Sequence, residues 1–252
     1  MIALEKRLEI GGAAVALAGQ GIAPDLAPDL VALELGAVGR GVFHVLSESQ
    51  PIGAARFFVG YRGGALTPVL TGFVAEARQV RAAPVVWRVV VREPAALLDT
   101  RADFHLRHCT ARRILAEIES RTGLVFLTPA SGAYLSADTP HCAGEGTCRD
   151  VLAALGGAFD VPRCVWATLP DGRIFWGDWA AGPFPGAGGS TALEIDPALI
   201  LERDPEARRV SLACVPNLRA GALITSGEDQ FMAWRVTFHG ARVDVSLREV
   251  AE

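Results

Sequence analysis

Histidine and cysteine crowd together twice in this 252-residue chain. His105, His108 and Cys109 form one group, and His141, Cys142 and Cys148 form the other. Imidazole and thiolate are zinc ligands, so a metal site is the first chemistry to weigh. The spacing matches no common finger or ribbon, and the second group lies in a glycine-rich stretch. The expectation is that His105 and His108 flank a strand and that Cys109 packs as a small hydrophobe. A Cys142–His141 nucleophile fares no better, because catalytic pairs meet through the fold and not through adjacency. Glu117 and Glu119 do not share a helical face, and Asp99 and Asp103 read as surface charges. Nucleophile-elbow, zincin and phosphate-loop sequences are absent. Gly11-Gly12 and the glycines from Gly186 to Gly189 lack the strand–loop–helix setting a phosphate cradle needs. We therefore expect no catalytic residue, no cofactor-binding residue, no metal ligand and no cofactor.

Two further clusters invite a binding reading. Arg101, Arg107, Arg112, Arg113 and Arg121 make a basic stretch, which reads as a solvated helix face paired with Glu117 and Glu119. A subunit interface is the alternative, since arginine is enriched there. Trp166, Trp176 and Trp179 crowd one hairpin, either packed on one another or forming a platform for carbohydrate. Overall charge bounds the partners. With 24 basic against 28 acidic residues, the net charge is −4, and phosphate neutralisation on nucleic acid needs a basic face. Lys6 is the sole lysine.

Half the residues are apolar and the mean hydropathy is +0.29, which argues against a disordered chain. The apolar stretch over residues 10–24 is broken by Gly11, Gly12, Gly19, Gln20 and Gly21, and is shorter than the ~20 residues of a spanning helix. The first ten residues carry an early acid and no compact apolar core of an export signal. Five cysteines in a chain of this length are expected to be reduced thiols in a cytosolic setting.

These side chains must be positioned by strands at both ends and helices between. Apolar runs at 31–35, 41–46, 56–61, 68–77 and 85–91 are punctuated by glycine and proline, with Gly63-Gly64 as a hairpin turn. Phe57, Val59 and Tyr61 are expected on one strand face, and Val69, Thr71, Phe73 and Ala75 on one face of the next. Such spacing points to a small antiparallel barrel or sandwich. The period changes at Glu93-Pro94, where Pro94 can open a short helix. Thr110 is a candidate N-cap for a helix over 111–122 ended by Gly123, and residues 124–127 read as a short strand. Thr147 and Asp150 fit a capping box for a second helix ended by Gly156-Gly157. A hairpin follows, turning at Pro170-Asp171-Gly172. Residues 180–191, rich in glycine and proline, read as a linker. Beyond it, 207–215, 222–226, 232–239 and 243–247 alternate as strands, with a hairpin at Gly240-Ala241. The order is β, then α+β, then β.

Taken in this order, the segments resemble the baseplate hub proteins of contractile phage tails, the Mu-like tail protein and late control protein D family. Thr71-Gly72-Phe73-Val74 is similar to a strand of that family, and Val91 through Asp99 to its crossing into a short L-L-D helix. Phe104 through Leu124 resembles its F…T…I-L…I…G-L helix. Val215-Pro216-Asn217-Leu218-Arg219-Ala220-Gly221 resembles its N-P-x-L-x-P-G turn, with Ala220 in place of proline, and Trp234 to His239 its following strand. The chain ends at Glu252, where many relatives continue. The resemblance implies an α+β, mostly β fold: a tube-type barrel over 1–92, a mixed α+β middle over 93–180, and a linker with a second barrel over 181–252. It further implies a homotrimeric ring that joins the tail tube to the spike among other baseplate proteins. The implied protein is a non-enzymatic structural part of a virion or prophage tail, assembled in the host cytoplasm. Small β units expose strand edges, and packing against sister copies is one way to cover them. The alternative is a tail protein that acts on or binds the cell wall or carbohydrate.

Overall fold

A computed structural model describes residues 4–18, 26–226 and 229–249. Seven strands open the chain: β1 (Leu4–Ile10), β2 (Ala13–Leu17), β3 (Leu30–Glu34), β4 (Arg40–Leu46), β5 (Ala54–Tyr61), β6 (Thr67–Ala82) and β7 (Val85–Arg92). Six of them pair antiparallel in the circular order β4-β2-β1-β5-β6-β7, and β7 returns to β4 over Arg40↔Arg92 to Leu46↔Val86. Closure removes the free edges of a sheet. This half therefore needs no sister copy to complete it, contrary to the expectation of an edge-exposed barrel. Leu8, Phe43, Val45, Phe57, Val59, Val89 and Val91 fill the interior, with the Phe43 and Phe57 rings 4.9 Å apart.

Two strands escape the apolar-run reading. In β1 the inward side of LEKRLEI includes Lys6, whose ammonium lies 3.6 Å from Asp29, and β2 is mostly alanine. Residues 10–18 of the stretch weighed above as a span end β1 and form β2; residues 19–24 lie outside the described residues. Among those described, no helix is long and apolar enough to cross a membrane. Phe57 and Val59 share the core face as expected, but in β6 the alternation fails. Val69 and Leu70 are both buried, across an irregularity opposite Phe57 and Phe58; after it Val74, and after the bulge between Val74 and Glu76 Ala77, pack on the core in place of Phe73 and Ala75. A bulge inserts one residue and so reverses which side chains face inward. Gly72 marks a backbone crossing: a Cβ there would lie 2.0 Å from the Arg92 carbonyl oxygen.

The middle region has its own core. After a 3-10 turn at Pro94–Asp99 come β8 (Phe104–Cys109), α1 (Ala111–Thr122), β9 (Phe126–Leu127), the single-turn α2 (Ala133–Ser136), β10 (Thr139–Gly144), α3 (Cys148–Ala158), β11 (Cys164–Thr168) and β12 (Ile174–Asp178). The Thr110 hydroxyl accepts from the Arg113 N–H, and Gly123 ends α1 with φ 69°. Thr147 and Asp150 form the full capping box of α3. That helix runs one residue past Gly156-Gly157, and at Gly156 a Cβ would come within 2.8 Å of the Cys164 sulfur. Ile114, Leu115, Ile118, Leu152 and Leu155 bury one face of each helix against Trp166 and Trp176.

The last strands are β13 (Leu193–Glu194), β14 (Ile200–Asp204), β15 (Arg209–Ala213), β16 (Leu223–Ser226), β17 (Asp229–His239) and β18 (Arg242–Arg248). Their sheet runs β14-β15-β18-β17 and then takes β3 from the first half of the chain, which carries β4 on its other edge. Strand β16 lies on the same edge of β17 as β3, and β13 pairs with β16. The sheet curls around Ile195, Leu212, Ile224, Val236, Val243 and Val245, which share one apolar cluster with the closed barrel. Residues 180–191 form a packed strap: Phe184 and Ala187 are buried, and the Pro185 carbonyl accepts from the Leu223 N–H at 2.7 Å.

Candidate functional site

The two His/Cys groups meet on the paired strands β8 and β10, but the pleat separates imidazole from thiol. His105 and His141 stack on the outer face with ring centroids 6.0 Å apart. His108, at φ 46°, turns Cys109 back inward; Cys109 is fully buried, and the half-buried Cys142 packs on the same core. Burial pushes both thiols above the ordinary cysteine range. His108 lies 3.4 Å from Asp138. Among the described residues no three ligating groups converge, and the five cysteines are free thiols.

The arginines are dispersed over several partners. Arg121 pairs with Glu117 at 2.9 Å and lies over the Phe104 ring. Arg101 pairs with Asp103, and Arg112 donates to the Pro129 carbonyl. Among the described residues Glu119 pairs with no arginine; it accepts from the Phe126 N–H at 2.6 Å and ties β9 to α1. Asp99 holds Arg92 and Arg149. Trp166 and Trp176 sit opposite each other across the β11–β12 ladder. All three tryptophans of this hairpin are buried, and the Trp179 indole N–H donates to the Gly221 carbonyl. They form no carbohydrate platform.

What the fold does assemble is a cleft of about 250 Å³ where the barrel, the middle region and the last sheet meet. Its walls include Glu34 at the end of β3, Glu93 just past β7, Thr168 at the end of β11, Phe184 of the strap and Arg219 of the 215–221 turn. That turn is fastened on every side. Tyr61 donates to the Cys214 carbonyl at 2.8 Å, Arg219 Nη1 donates to the Val69 carbonyl at 3.0 Å, and Leu218 is fully buried. Gly221, at φ 91°, brings its backbone against the Phe184 ring, where a Cβ would be 2.4 Å away.

Glu93 is the buried acid of this cleft, with 7% of its surface exposed. Its Oε2 accepts from the Gly39 N–H at 2.7 Å. Burial pushes its pKa up to about 7, against the weaker pull of the Gly39 N–H, the Thr168 hydroxyl and the Arg219 charge. Arg219 is pushed down to about 10 by burial, with the Glu93 charge acting the other way. Its Nη2 is buried without a hydrogen-bond partner among the described residues, and no ion pair there joins Arg219 to Glu93. Glu34 is already neutralised: Arg235 pairs with it through Nε and Nη2, and the Trp234 indole N–H donates to its other oxygen. Sequence reasoning placed Glu93 only as a boundary and Arg219 only in a turn. The Glu-Pro step leaving a strand is the one local hint, because it does not show that 126 residues later an arginine returns to face it.

No family model matches the chain. Over 208 residues it is 25% identical to an uncharacterized 58.7 kDa protein in the lys 3′ region of Haemophilus phage HP1 (strain HP1c1), covering 82% of this chain and 37% of that one. The chain thus spans little more than a third of that relative's length. Among solved structures, it superposes on the 43 kDa tail protein of prophage MuSo2 from Shewanella oneidensis with a TM-score of 0.70 and 11% identity, over 98% of this chain and 97% of that one. It superposes on the E. coli c3393 protein with a TM-score of 0.67 and 13% identity, over 97% and 77% of the two chains. That protein is described as a type VI secretion component similar in structure to the T4 bacteriophage tail proteins gp27 and gp5. The chain has the fold of prophage tail proteins, in agreement with the resemblance read from its segments.

Proposed function

We propose that the chain is a structural component of a phage or prophage contractile-tail baseplate, a trimeric hub that joins the tail tube to the spike without catalysis. The observation that carries this reading is the shared architecture: a closed six-stranded barrel, a second curled sheet zipped to it through β3, and an α+β insertion, matched over nearly the whole of a prophage tail protein. Residues 1–92 would serve as one tube-type unit, 181–252 as the second, and 93–180 as the body between them. Two such β units per chain give a trimer six, enough for a ring with the pseudo-sixfold outline of a tube. A closed cyclic arrangement satisfies its contacts without growing into a filament.

Two strand edges support a role for neighbouring copies. Among the described residues β14 pairs with no strand on its outer side, and beyond Phe73 β6 pairs on that side with none, though Val74 and Ala77 bond to Gly53 and Gln50 there. The function would be positional, with the rigid barrel–sheet junction transmitting load between tube and spike. The buried tryptophans leave the carbohydrate reading without the observation that suggested it. Sedimentation equilibrium tests the proposal: a mass near three times 26.6 kDa is expected. A clean monomer at micromolar concentration, also in the presence of the cognate spike, would overturn it.

A further inference from the structure

The cleft at the junction carries an inference that stands whether or not the chain assembles as a ring. We propose that it is a carboxylate-binding site, in which Arg219 donates to the anion from one side and the Glu93 carboxyl meets it from the other. The ligand class is a carboxylate on a short aliphatic stem, as on a glutamate side chain or a small organic acid.

The donors come first. A buried guanidinium with an unpaired nitrogen is unusual, because buried polar groups are almost always hydrogen-bonded. Arg219 spends Nη1 on the Val69 carbonyl and, among the described residues, keeps Nη2 without a partner; the Thr168 hydroxyl on the same cleft wall acts on Glu93. A guanidinium offers a planar fork of donors that matches a carboxylate. The opposing charges are accounted for. The ionisable groups on the cleft wall are Glu34, Glu93 and Arg219, and Glu34 from β3 is held by Arg235 from β17. Glu93 has one oxygen fixed by Gly39, which leaves the other to carry a proton toward a ligand. Pro170, Pro183, Phe184 and Pro185 supply an apolar lining for the stem.

The proton balance follows. A bound anion next to Glu93 disfavours its ionised form, so binding takes one proton from solvent whenever Glu93 starts ionised. Because Glu93 titrates near pH 7 in the free protein, the dissociation constant should be about thirtyfold weaker at pH 8.5 than at pH 6.

Titration of the full chain with sodium propionate, followed by the Gly39 amide resonance, tests this. Expected are a saturable shift, the thirtyfold loss with pH, and at least tenfold weaker binding in Arg219→Gln with an otherwise native amide spectrum. Glu93→Gln, which keeps an oxygen for Gly39 and a permanent N–H donor for the ligand, should bind at pH 8.5 and lose the pH dependence. Tighter binding of the peptide acetyl-Ala-Glu-Ala-amide than of propionate assigns the ligand to a protein side chain; the reverse assigns it to a free organic acid. The proposal fails if neither probe shifts Gly39, if chloride competes equally, or if Glu93→Gln keeps the wild-type pH profile.

Discussion

The barrel and the last sheet are made of the same kind of antiparallel strand, yet they solve the edge problem differently. In the barrel, β7 returns to β4 and every strand of the ring finds two neighbours. The last sheet ends on β14, whose bulge near Ile200 and exposed Glu202, Arg203 and Asp204 are the devices by which an open edge resists unwanted pairing. It also depends on a strand it does not encode, since β17 lies against β3 from residue Arg235 to His239. The lesson is an asymmetry of dependence: the barrel closes on its own strands, but the sheet takes in β3, which β4 holds in place.

The largest test of that asymmetry is Phe43→Ala. The ring is fully buried in the barrel, and its loss should cost roughly 3–5 kcal/mol. Hydrogen exchange should then show lowered protection in both the barrel and β17. Val243→Ala, equally buried in the last sheet, should cost roughly 2 kcal/mol and leave the amides of β1, β5 and β7 protected. Equal loss everywhere in both variants would mean the two regions unfold as one unit.

Next comes the seam between them. Glu93 has a folded pKa near 7, above that of an unfolded glutamate. The folded state therefore holds a proton that the unfolded chain releases between about pH 4.5 and 7, so stability falls as pH rises through that window. Glu93→Gln should abolish this fall and gain on the order of 3 kcal/mol relative to wild type at pH 8; parallel melting curves at pH 5 and pH 8 would refute it.

Smaller effects separate the middle region and the edge. Thr147→Ala removes the capping box of α3 and should cost about 1 kcal/mol, with exchange in both β regions unchanged. Leu201→Lys, at a position 57% exposed on β14, should change the stability of the isolated chain by less than about 0.5 kcal/mol. A larger loss in the assembled protein would place β14 in a subunit contact.

The local parts of this fold were legible in advance. Thr110 and Gly123 bounded α1, Thr147 with Asp150 capped α3, and the turns at Gly63-Gly64, Pro170-Asp171-Gly172 and Gly240-Ala241 all join paired strands, because capping and turn chemistry act within a few residues. The strands that went unseen lack that signature. Strand β1 has a lysine on its inner side, β2 is mostly alanine, and β14 is nearly all exposed. In β6 the bulges break the two-residue period on which face assignment rests.

The site followed the same division. By itself the sequence determined which segments are helix or hairpin, and that its histidines and cysteines carry no familiar ligand spacing, since these depend on near neighbours along the chain. Only the tertiary structure decided that β3 serves two sheets, that the imidazoles of β8 and β10 face away from the thiols, and that Arg219 returns to Glu93. Those outcomes rest on strand register and on pairings between residues far apart in the chain. One residue of slip reverses a strand's faces, and no short window of sequence contains both partners.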